Sequence, residues 1–248
     1  MQHSITRQRH EPKRRKLTIV QKSNLTPGMI RLVLEGNDLA DFASAAPDDH
    51  VKLFIPRTSG EPDKRDYTPR HFDAAKRTLT LDFAVHDAGP ATRWAIDART
   101  GDTIEVGGPR GSLIVSPTFD WWLLIGDETA LPAIGRRIEE LPETACVISV
   151  VAVANAGEQQ SFTTKAQHTA IWVHRPLDKA DDAAPLLAAL QKLEWAAGDG
   201  YVWIAAEAHV ARTLRDYVGG IRQHPMHHLK AAGYWLKGTA DAHVKIED

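Results

Sequence analysis

The sequence predicts two domains, a small antiparallel β-barrel followed by a Rossmann-like parallel α/β domain. The first half of its 248 residues contains short segments with an apolar residue at every second position, which is typical of half-buried antiparallel strands. The second half contains almost continuous apolar runs separated by helical patterns, which is typical of parallel strands covered on both faces. The segment SPTFD (116–120) separates the two patterns, so we expect a barrel domain over 1–117 and an α/β domain over 118–248.

The individual elements follow from the same patterns. Barrel strands are predicted at 17–23, 29–35, 51–56, 78–85 and 103–106, with turn-forming segments such as TPG and GGPRG between them. A helix is expected after the segment AGPAT. In the second half, buried strands are predicted at 121–126, 146–154, 169–174 and 201–206, and helices at 131–140, 183–194 and 208–219.

Composition narrows the class of function. A net charge of −2 gives no basic surplus for neutralising phosphates, which argues against a general nucleic-acid-binding protein. The single cysteine, Cys146, excludes an internal disulfide, and we expect it to be a small buried residue in a reducing compartment. No apolar segment is long enough to span a bilayer, so a cytoplasmic protein is expected.

The N-terminal segment TRQRHEPKRRK is basic but is not followed by the apolar run of a signal peptide. We expect it to be a flexible lead-in to the first strand, with contact to nucleic acid or lipid as the alternative.

The hexapeptide RDYTPR (65–70) is predicted to be a strand that ends at a sheet edge, because Pro69 cannot donate a hydrogen bond to a neighbouring strand. Its two arginines are suited to binding phosphate, and Tyr67 offers a flat face to a ring system. The alternative is a solvated edge strand whose charges pair with Asp66. Taken alone, the hexapeptide favours this alternative.

Two further segments have features of a nucleotide site. In GPATRWA, Gly89 permits close approach of the backbone, while Ala91 and Thr92 at a helix start would offer N–H groups and a hydroxyl. GDETALPAI follows a buried strand directly, where α/β folds bind ligands. The fingerprint G-x-G-x-x-G is absent, which argues against a tightly held dinucleotide at this turn. Asp127, Glu128 and Thr129 also suit the first turn of the next helix.

Four segments in this order resemble the siderophore-interacting proteins, a family of bacterial ferric-chelate reductases in the ferredoxin-reductase superfamily. They are RDYTPR, DFAVHDAGPATRWA (82–95), GDETALPAI (126–134) and GYWLKG (233–238), and the resemblance extends from about residue 15 to 238. It implies an enzyme in which NAD(P)H, a transient donor, passes hydride to FAD, and in which the flavin then passes single electrons to a ferric siderophore.

The resemblance also implies the site. The expected cofactor-binding residues are Arg65, Tyr67, Thr68, His86, Gly89, Ala91, Thr92, Trp94, Asp127, Thr129 and Ala130. Arg65 would bind the phosphates, with Tyr67 and Thr68 at the isoalloxazine, while Arg70 would brace the loop. Structural alternatives are a strand-end cap for His86 and a helix cap for Asp127. Lys52, Arg110 and Lys230 would form a basic triad that binds an anionic siderophore. Neither a catalytic side chain nor a protein-bound metal is implied.

Several points stay open in the sequence. Ala206 stands where many relatives have a glycine, and its methyl group could narrow the slot for a nicotinamide ring. An enzyme of the same fold that is fed by reduced ferredoxin, or that acts on another acceptor, is one alternative. A siderophore-binding module without flavin is the other. The histidines of HPMHH (224–228) are expected on a surface helix or loop and not at a metal. A monomer is expected.

Overall fold

The computed structural model describes residues 3–85 and 89–239, which form two compact units. The first unit contains His3–Ser116 together with Gly135–Arg137. The second contains Pro117–Ile134 and the described residues from Ile138 onward.

The described part of the first unit is mainly a curled antiparallel sheet. Its strands are β1 (Ile5–Arg9), β2 (Arg14–Thr26), β3 (Met29–Glu35), β4 (Val51–Ile55), β5 (Asp63–Tyr67), β6 (His71–Asp73), β7 (Thr78–Ala84), β8 (Thr103–Gly107) and β9 (Gly111–Val115), with helix α1 (Pro90–Asp97) after β7. Seven strands form one sheet in the order β5-β4-β8-β2-β3-β7-β6, and β1 pairs with β9. Alternating apolar residues such as Leu17, Leu32 and Leu81 fill its core.

The predicted antiparallel barrel is therefore confirmed as a curled half-barrel with β5 and β6 at its edges. The prediction for RDYTPR is also confirmed, since β5 is an edge strand that ends at Tyr67, directly before Thr68 and Pro69. Because proline has no N–H group, the end of the strand at this position leaves no backbone donor of Pro69 unpaired.

In the elements that follow along the chain, an α-helix lies between each pair of successive strands except β11 and β12. These elements are β10 (Trp121–Asp127), α2 (Leu131–Glu140), β11 (Cys146–Val153), β12 (Gln167–His174), α3 (Ala184–Lys192), β13 (Gly200–Glu207), α4 (Ala208–Asp216) and β14 (Leu229–Trp235). The five strands are parallel, in the order β12-β11-β10-β13-β14. The predicted Rossmann-like sheet is confirmed, and the interior strand β13 is buried along its whole length.

Gly126 allows close packing near the end of β10. A Cβ atom at this position would lie 2.6 Å from the Cβ of Ala130 and 2.7 Å from the carbonyl oxygen of Ala205. Glycine is the residue that tolerates this approach. The chain can therefore turn tightly from β10 into α2.

Two expectations about single segments were wrong. The basic N-terminal segment is not a flexible lead-in, because β1 within it pairs antiparallel with β9 from Ile5 to Arg9. Its residues show no apolar alternation, so their pattern does not reveal a strand. Cys146 is exposed and not buried, because it is the first residue of β11 and lies before the strand becomes covered.

The segment HPMHH is also not a simple surface loop. His224 is buried, and its ring lies 5.6 Å from Trp121 and 6.0 Å from Trp195 between centroids. This burial lowers the pKa of His224. Within residues 3–85 and 89–239, no cluster of three or more His, Cys, Asp or Glu side chains could hold a metal. In the same residues, no helix is both long and apolar enough to cross a bilayer.

Candidate functional site

The edge strand β5 places Arg65 and Tyr67 on one face of the sheet. They stand opposite Leu53 and Val51 of β4, while Lys64 and Asp66 point to the other face. Tyr67 packs on Phe83 with ring centroids 4.3 Å apart. Burial raises the pKa of the Tyr67 phenol, so the ring stays neutral at physiological pH. Arg65 is half-buried and its Nη1 donates to the carbonyl of Lys64.

The aromatic surface continues from Tyr67 into helix α1. Phe83 lies 6.0 Å from Trp94 between ring centroids, and both Tyr67 and Trp94 pack against the barrel core. Offset and tilted aromatic neighbours of this kind form a rigid apolar surface. Phe83 is fully buried and supports the half-buried rings of Tyr67 and Trp94, which offer the apolar surface that suits a flat ring system. We call these three rings the aromatic wall.

The rest of the hexapeptide is buried and braced. Thr68 and Arg70 are each less than a tenth exposed. The Nε of Arg70 lies 3.8 Å from Asp82, which also accepts two hydrogen bonds of 2.7 Å from Arg31. This geometry is consistent with the bracing role expected for Arg70.

The first backbone N–H groups of helix α1 have no hydrogen-bond acceptor within the helix. Its N-cap is Gly89, in extended conformation and without a side-chain cap, and Pro90 follows at the first helical position. The N–H groups of Ala91 and Thr92 belong to the first turn, where no intrahelical acceptor exists. The Thr92 hydroxyl donates weakly to the carbonyl of Ala84, at 3.5 Å. His86 lies outside the described residues.

These features of the barrel unit fit the chemistry of FAD. A pyrophosphate needs a positive side chain and backbone donors, which Arg65 and the start of α1 supply. An isoalloxazine ring needs a flat apolar surface, which the aromatic wall supplies. Gly89 presents no side chain that would fill the space in front of the helix start.

In the second unit, Asp127 joins the ends of three strands. Its Oδ1 accepts from the N–H and the hydroxyl of Thr129, at 2.9 and 2.5 Å. Its Oδ2 accepts from the N–H of Glu207 at 2.9 Å and from Nε1 of Trp235 at 3.0 Å. Asp127 is only 2% exposed. Its carboxylate is occupied by the protein, which favours the structural alternative, and its expected contact with the cofactor stays a prediction.

Thr129 and Ala130 are also held by local structure. The Thr129 hydroxyl donates to Asp127, which leaves its oxygen as an acceptor. Ala130 is fully buried, and its N–H donates to the carbonyl of Asp127. Their expected contacts with the cofactor stay predictions.

A buried contact between Glu128 and Arg175, near Asp127, was not predicted. Glu128 Oε2 accepts from Nη2 of Arg175 at 2.8 Å, although 47 residues separate them. Both side chains are at most a tenth exposed. Within the described chain, Oε1 of Glu128 and Nη1 of Arg175 have no hydrogen-bond partner. Burial, followed by the charge of Asp127, raises the pKa of Glu128 to about 7, while Arg175 opposes the shift.

The raised pKa predicts a pH dependence of stability. The folded state holds the Glu128 proton up to about pH 7, whereas the unfolded state releases it near the ordinary value of 4.5. Stability is therefore greatest below that value and falls as the pH rises toward 7, by an amount of about 3 kcal/mol from this group. Glu128→Gln cannot titrate, so wild type should lose stability relative to this variant between pH 5 and 8.

Denaturant titrations at several pH values would measure this difference. Glu140→Gln, at an exposed position on α2, is the matched control and should follow wild type at every pH. Parallel curves for wild type and Glu128→Gln would contradict the assignment.

The expected effect of Ala206 on a nicotinamide slot is not supported. Ala206 is fully buried and packs in the apolar core of the second unit, with Val210 and Ile204 among its members. Its methyl group therefore fills core space. A glycine there would remove packing contacts in this core.

The three residues of the expected basic triad lie on different elements. Lys52 on β4 forms a 2.7 Å ion pair with Asp66, on the opposite face of the strands from Arg65 and Tyr67. Arg110 is exposed in the turn between β8 and β9, and Lys230 is half-buried on β14. Since Asp66 offsets the charge of Lys52, that residue would contribute least to binding an anion.

Family models match almost the whole described chain. A model of the siderophore-interacting FAD-binding domain matches residues 18–64 and 57–113. A model described as siderophore-interacting protein matches residues 119–238. The first match contains β5 and the start of α1, and the second contains the segment that begins α2.

Relatives with known names match over nine-tenths or more of their length. The NADPH-dependent ferric-chelate reductase of Escherichia coli is 31% identical, over 92% of this chain and 95% of its own. The ferric vibriobactin reductase ViuB of Vibrio cholerae is 27% identical, over 90% of each chain. The crystal structure of a siderophore utilization protein from T. fusca superposes with a TM-score of 0.90 at 35% identity, over 96% of this chain and 98% of that one.

Proposed function

Because the chain belongs to the family of siderophore-interacting proteins, we propose that it is an FAD-dependent reductase that takes electrons from NADPH and reduces the iron(III) of ferric siderophores. The observation that carries the proposal is the combination of Arg65, the aromatic wall and the start of α1, with glycine as its N-cap residue, in one unit. These are the parts that a flavin dinucleotide needs, and they lie inside the match to the family's FAD-binding domain.

The protein's own residues would bind and orient the cofactor. When bound, FAD supplies the conversion between a two-electron donor and a one-electron acceptor. Arg65 and the N–H groups of Ala91 and Thr92 would hold its phosphates, while Tyr67 would fix the plane of the ring. Reduction weakens the hold of oxygen-rich chelators on the iron, so the product would be released iron(II).

The nicotinamide donor would be a transient guest. The C-terminal edge of the parallel sheet is where such folds bind nucleotides, and the turn after β10 lacks the glycine fingerprint of a resident dinucleotide. The relative named as NADPH-dependent favours NADPH. Reduced ferredoxin is the alternative donor, and a stopped-flow comparison of NADPH, NADH and ferredoxin would separate them. A monomeric state and a cytoplasmic location also stay predictions.

A titration of purified protein tests the proposed function. The protein should be yellow, NADPH should bleach the flavin absorbance without oxygen, and a ferric siderophore should restore it while an iron(II) chelator develops colour. Colourless protein that still binds ferric siderophore would instead support a binding module without flavin. Bleaching without reoxidation by any ferric chelate would point to another acceptor.

Basic side chains should contribute to binding of an anionic siderophore. Replacing Lys52, Arg110 and Lys230 together with alanine should raise the KM for an anionic ferric chelate about tenfold at low salt, with hydride transfer unchanged. Among single variants, Lys52→Ala should have the smallest effect, because Asp66 already offsets its charge.

Steady-state kinetics at two salt concentrations would measure these effects. Lys192→Ala, at an exposed position at the end of α3, is the control and should leave KM unchanged. An unchanged KM in the triple variant at low salt would contradict the triad.

A further inference from the structure

A chain of buried hydrogen bonds runs through the barrel unit from His10 to Arg136. His10 follows β1, Ser44 and Asp49 lie before β4, and Ser112 is on β9. Arg136, in the segment Gly135–Arg137 of this unit, completes the chain. Apart from half-buried His10, each of these side chains is less than a tenth exposed. We call these five residues the His10–Arg136 network.

In each hydrogen bond between two side chains of the network, the group nearer to Asp49 is the acceptor. Oδ2 of Asp49 accepts from the Ser44 hydroxyl at 2.8 Å and from the Ser112 hydroxyl at 2.7 Å. Each serine has a single proton, so its oxygen must act as the acceptor toward its other neighbour. Ser44 thus accepts from Nη1 of Arg136 at 2.8 Å. Ser112 accepts from Nε2 of His10 at 2.8 Å, which requires a proton on that nitrogen.

Arg136 connects this network to the hexapeptide RDYTPR. Its Nη1 also donates to the carbonyl oxygen of Pro69 at 3.0 Å, and its Nη2 donates to the carbonyl of Ser44 at 2.9 Å. Arg136 is only 5% exposed, so its guanidinium has little room to move. Pro69 is the residue after Thr68, and Thr68 is the residue after Tyr67. Arg136 therefore fixes the backbone next to the expected isoalloxazine contacts.

The network also gives the basic N-terminal segment a position in the fold. The pairing of β1 with β9 places Arg9 opposite Gly111, and the N–H of His10 then donates to the carbonyl of Arg110 at 3.0 Å. This brings the His10 ring to Ser112. A segment that lacks apolar alternation is thereby joined to the buried polar groups of the barrel.

We propose that the His10–Arg136 network positions the loop Thr68–Arg70 so that Tyr67 and Thr68 meet the flavin, with Arg136 as its principal positioning residue. The proposal rests on the proposed function, because it assigns these residues to the binding of FAD. Without Arg136, the Pro69 carbonyl would lose a charge-assisted hydrogen bond, and the Ser44 hydroxyl that donates to Asp49 would lose its own donor. The loop would then hold the flavin less firmly.

The rate of FAD release from holoprotein tests this inference. The readout is recovery of free FAD fluorescence after dilution, together with the visible circular dichroism of bound flavin, which reports how the ring is held. Arg136→Met should release FAD about tenfold faster and alter the dichroism. Asp49→Asn should act in the same direction. Ser112→Ala removes the hydrogen bonds to His10, Asp49 and the Ala45 N–H but leaves those of Arg136 in place, so it should have a smaller effect of about threefold.

Arg137→Met is the matched control. Arg137 is the next residue of α2, and its ion pair with Asp48 is long, at 3.9 Å. It should release FAD at the wild-type rate. In Arg136→Ala, millimolar methylguanidinium should slow FAD release again, because it can replace the missing guanidinium group, whereas methylammonium should not. A misfolded variant would respond to neither ion.

Wild-type release rates in Arg136→Met and Asp49→Asn would overturn the inference, as would equal acceleration in Arg137→Met. If Arg136→Met does not fold, the FAD release rates of Ser112→Ala and Asp49→Asn provide the test. Wild-type rates of FAD release in both variants would contradict the proposed role of the network. Wild-type protein that binds no FAD would contradict the proposed function itself, whereas a yellow wild type with unaffected variants would contradict only the network.

Discussion

Replacing Arg65 with alanine is expected to yield protein that is purified largely without flavin. Micromolar binding corresponds to about 8 kcal/mol, and one charge-assisted hydrogen bond contributes about 1.5–3 kcal/mol. Losing a phosphate contact at the upper end of this range weakens binding about a hundredfold. With protein and FAD both at about 1 μM, FAD occupancy should then fall from roughly 40% to about 1%, as measured by the ratio of flavin to protein absorbance.

Two other basic residues provide controls for this result. Lys64 is the neighbour of Arg65 on β5 but points to the opposite face, so Lys64→Ala should keep its flavin. Arg70 is buried against Asp82, so Arg70→Ala should keep most of its flavin although it loses an ion pair. Equal flavin content in Arg65→Ala and wild type would refute the role of Arg65.

Substitution of Asp127 is expected to have the largest effect on stability. Each of its oxygens accepts two hydrogen bonds, and alanine would remove the acceptor of the buried Glu207 N–H and of the partly buried Trp235 ring N–H. An unpaired buried donor costs about 1–3 kcal/mol, so a loss of about 3 kcal/mol or more is expected. Asparagine should be no better, since its NH₂ group must face two donors in either orientation.

Thermal unfolding would measure this loss, which corresponds to a decrease of about 10 °C in the midpoint. Asp182→Asn is the matched control. Asp182 accepts a single hydrogen bond, from the N–H of Ala184 at an exposed position, and an asparagine oxygen can replace it. A midpoint for Asp127→Asn close to that of wild type would show that the four contacts contribute little.

Local pattern was sufficient to predict the fold class. The continuous run YVWIAA predicts a strand covered on both faces, and β13 is such a strand. The proline of RDYTPR predicts the end of β5 at a sheet edge, and the structure agrees. Both features depend on the chemistry of adjacent residues, which sequence displays directly.

The contacts that define the site could not be predicted in this way. The partners of Asp127 on β13 and β14 are 80 and 108 residues away in sequence, and Arg175 is 47 residues from Glu128. No local pattern encodes such pairs, so Asp127 could be expected either at the cofactor or at a helix start. Strand β1 was missed for a related reason, since its pairing with β9 depends on backbone hydrogen bonds and not on apolar alternation.

The exposed position of Cys146 affects how the oligomeric state should be measured. Its thiol is the only one in the chain, and it stands at the first residue of β11, 3.6 Å from the amide oxygen of Gln167. In air, two molecules can couple through this one sulfur, and the product would migrate as a dimer whatever the native association. Size measurements should therefore be made with a reductant, or with Cys146→Ser. The same thiol offers a single attachment point for a fluorescent label on the α/β unit.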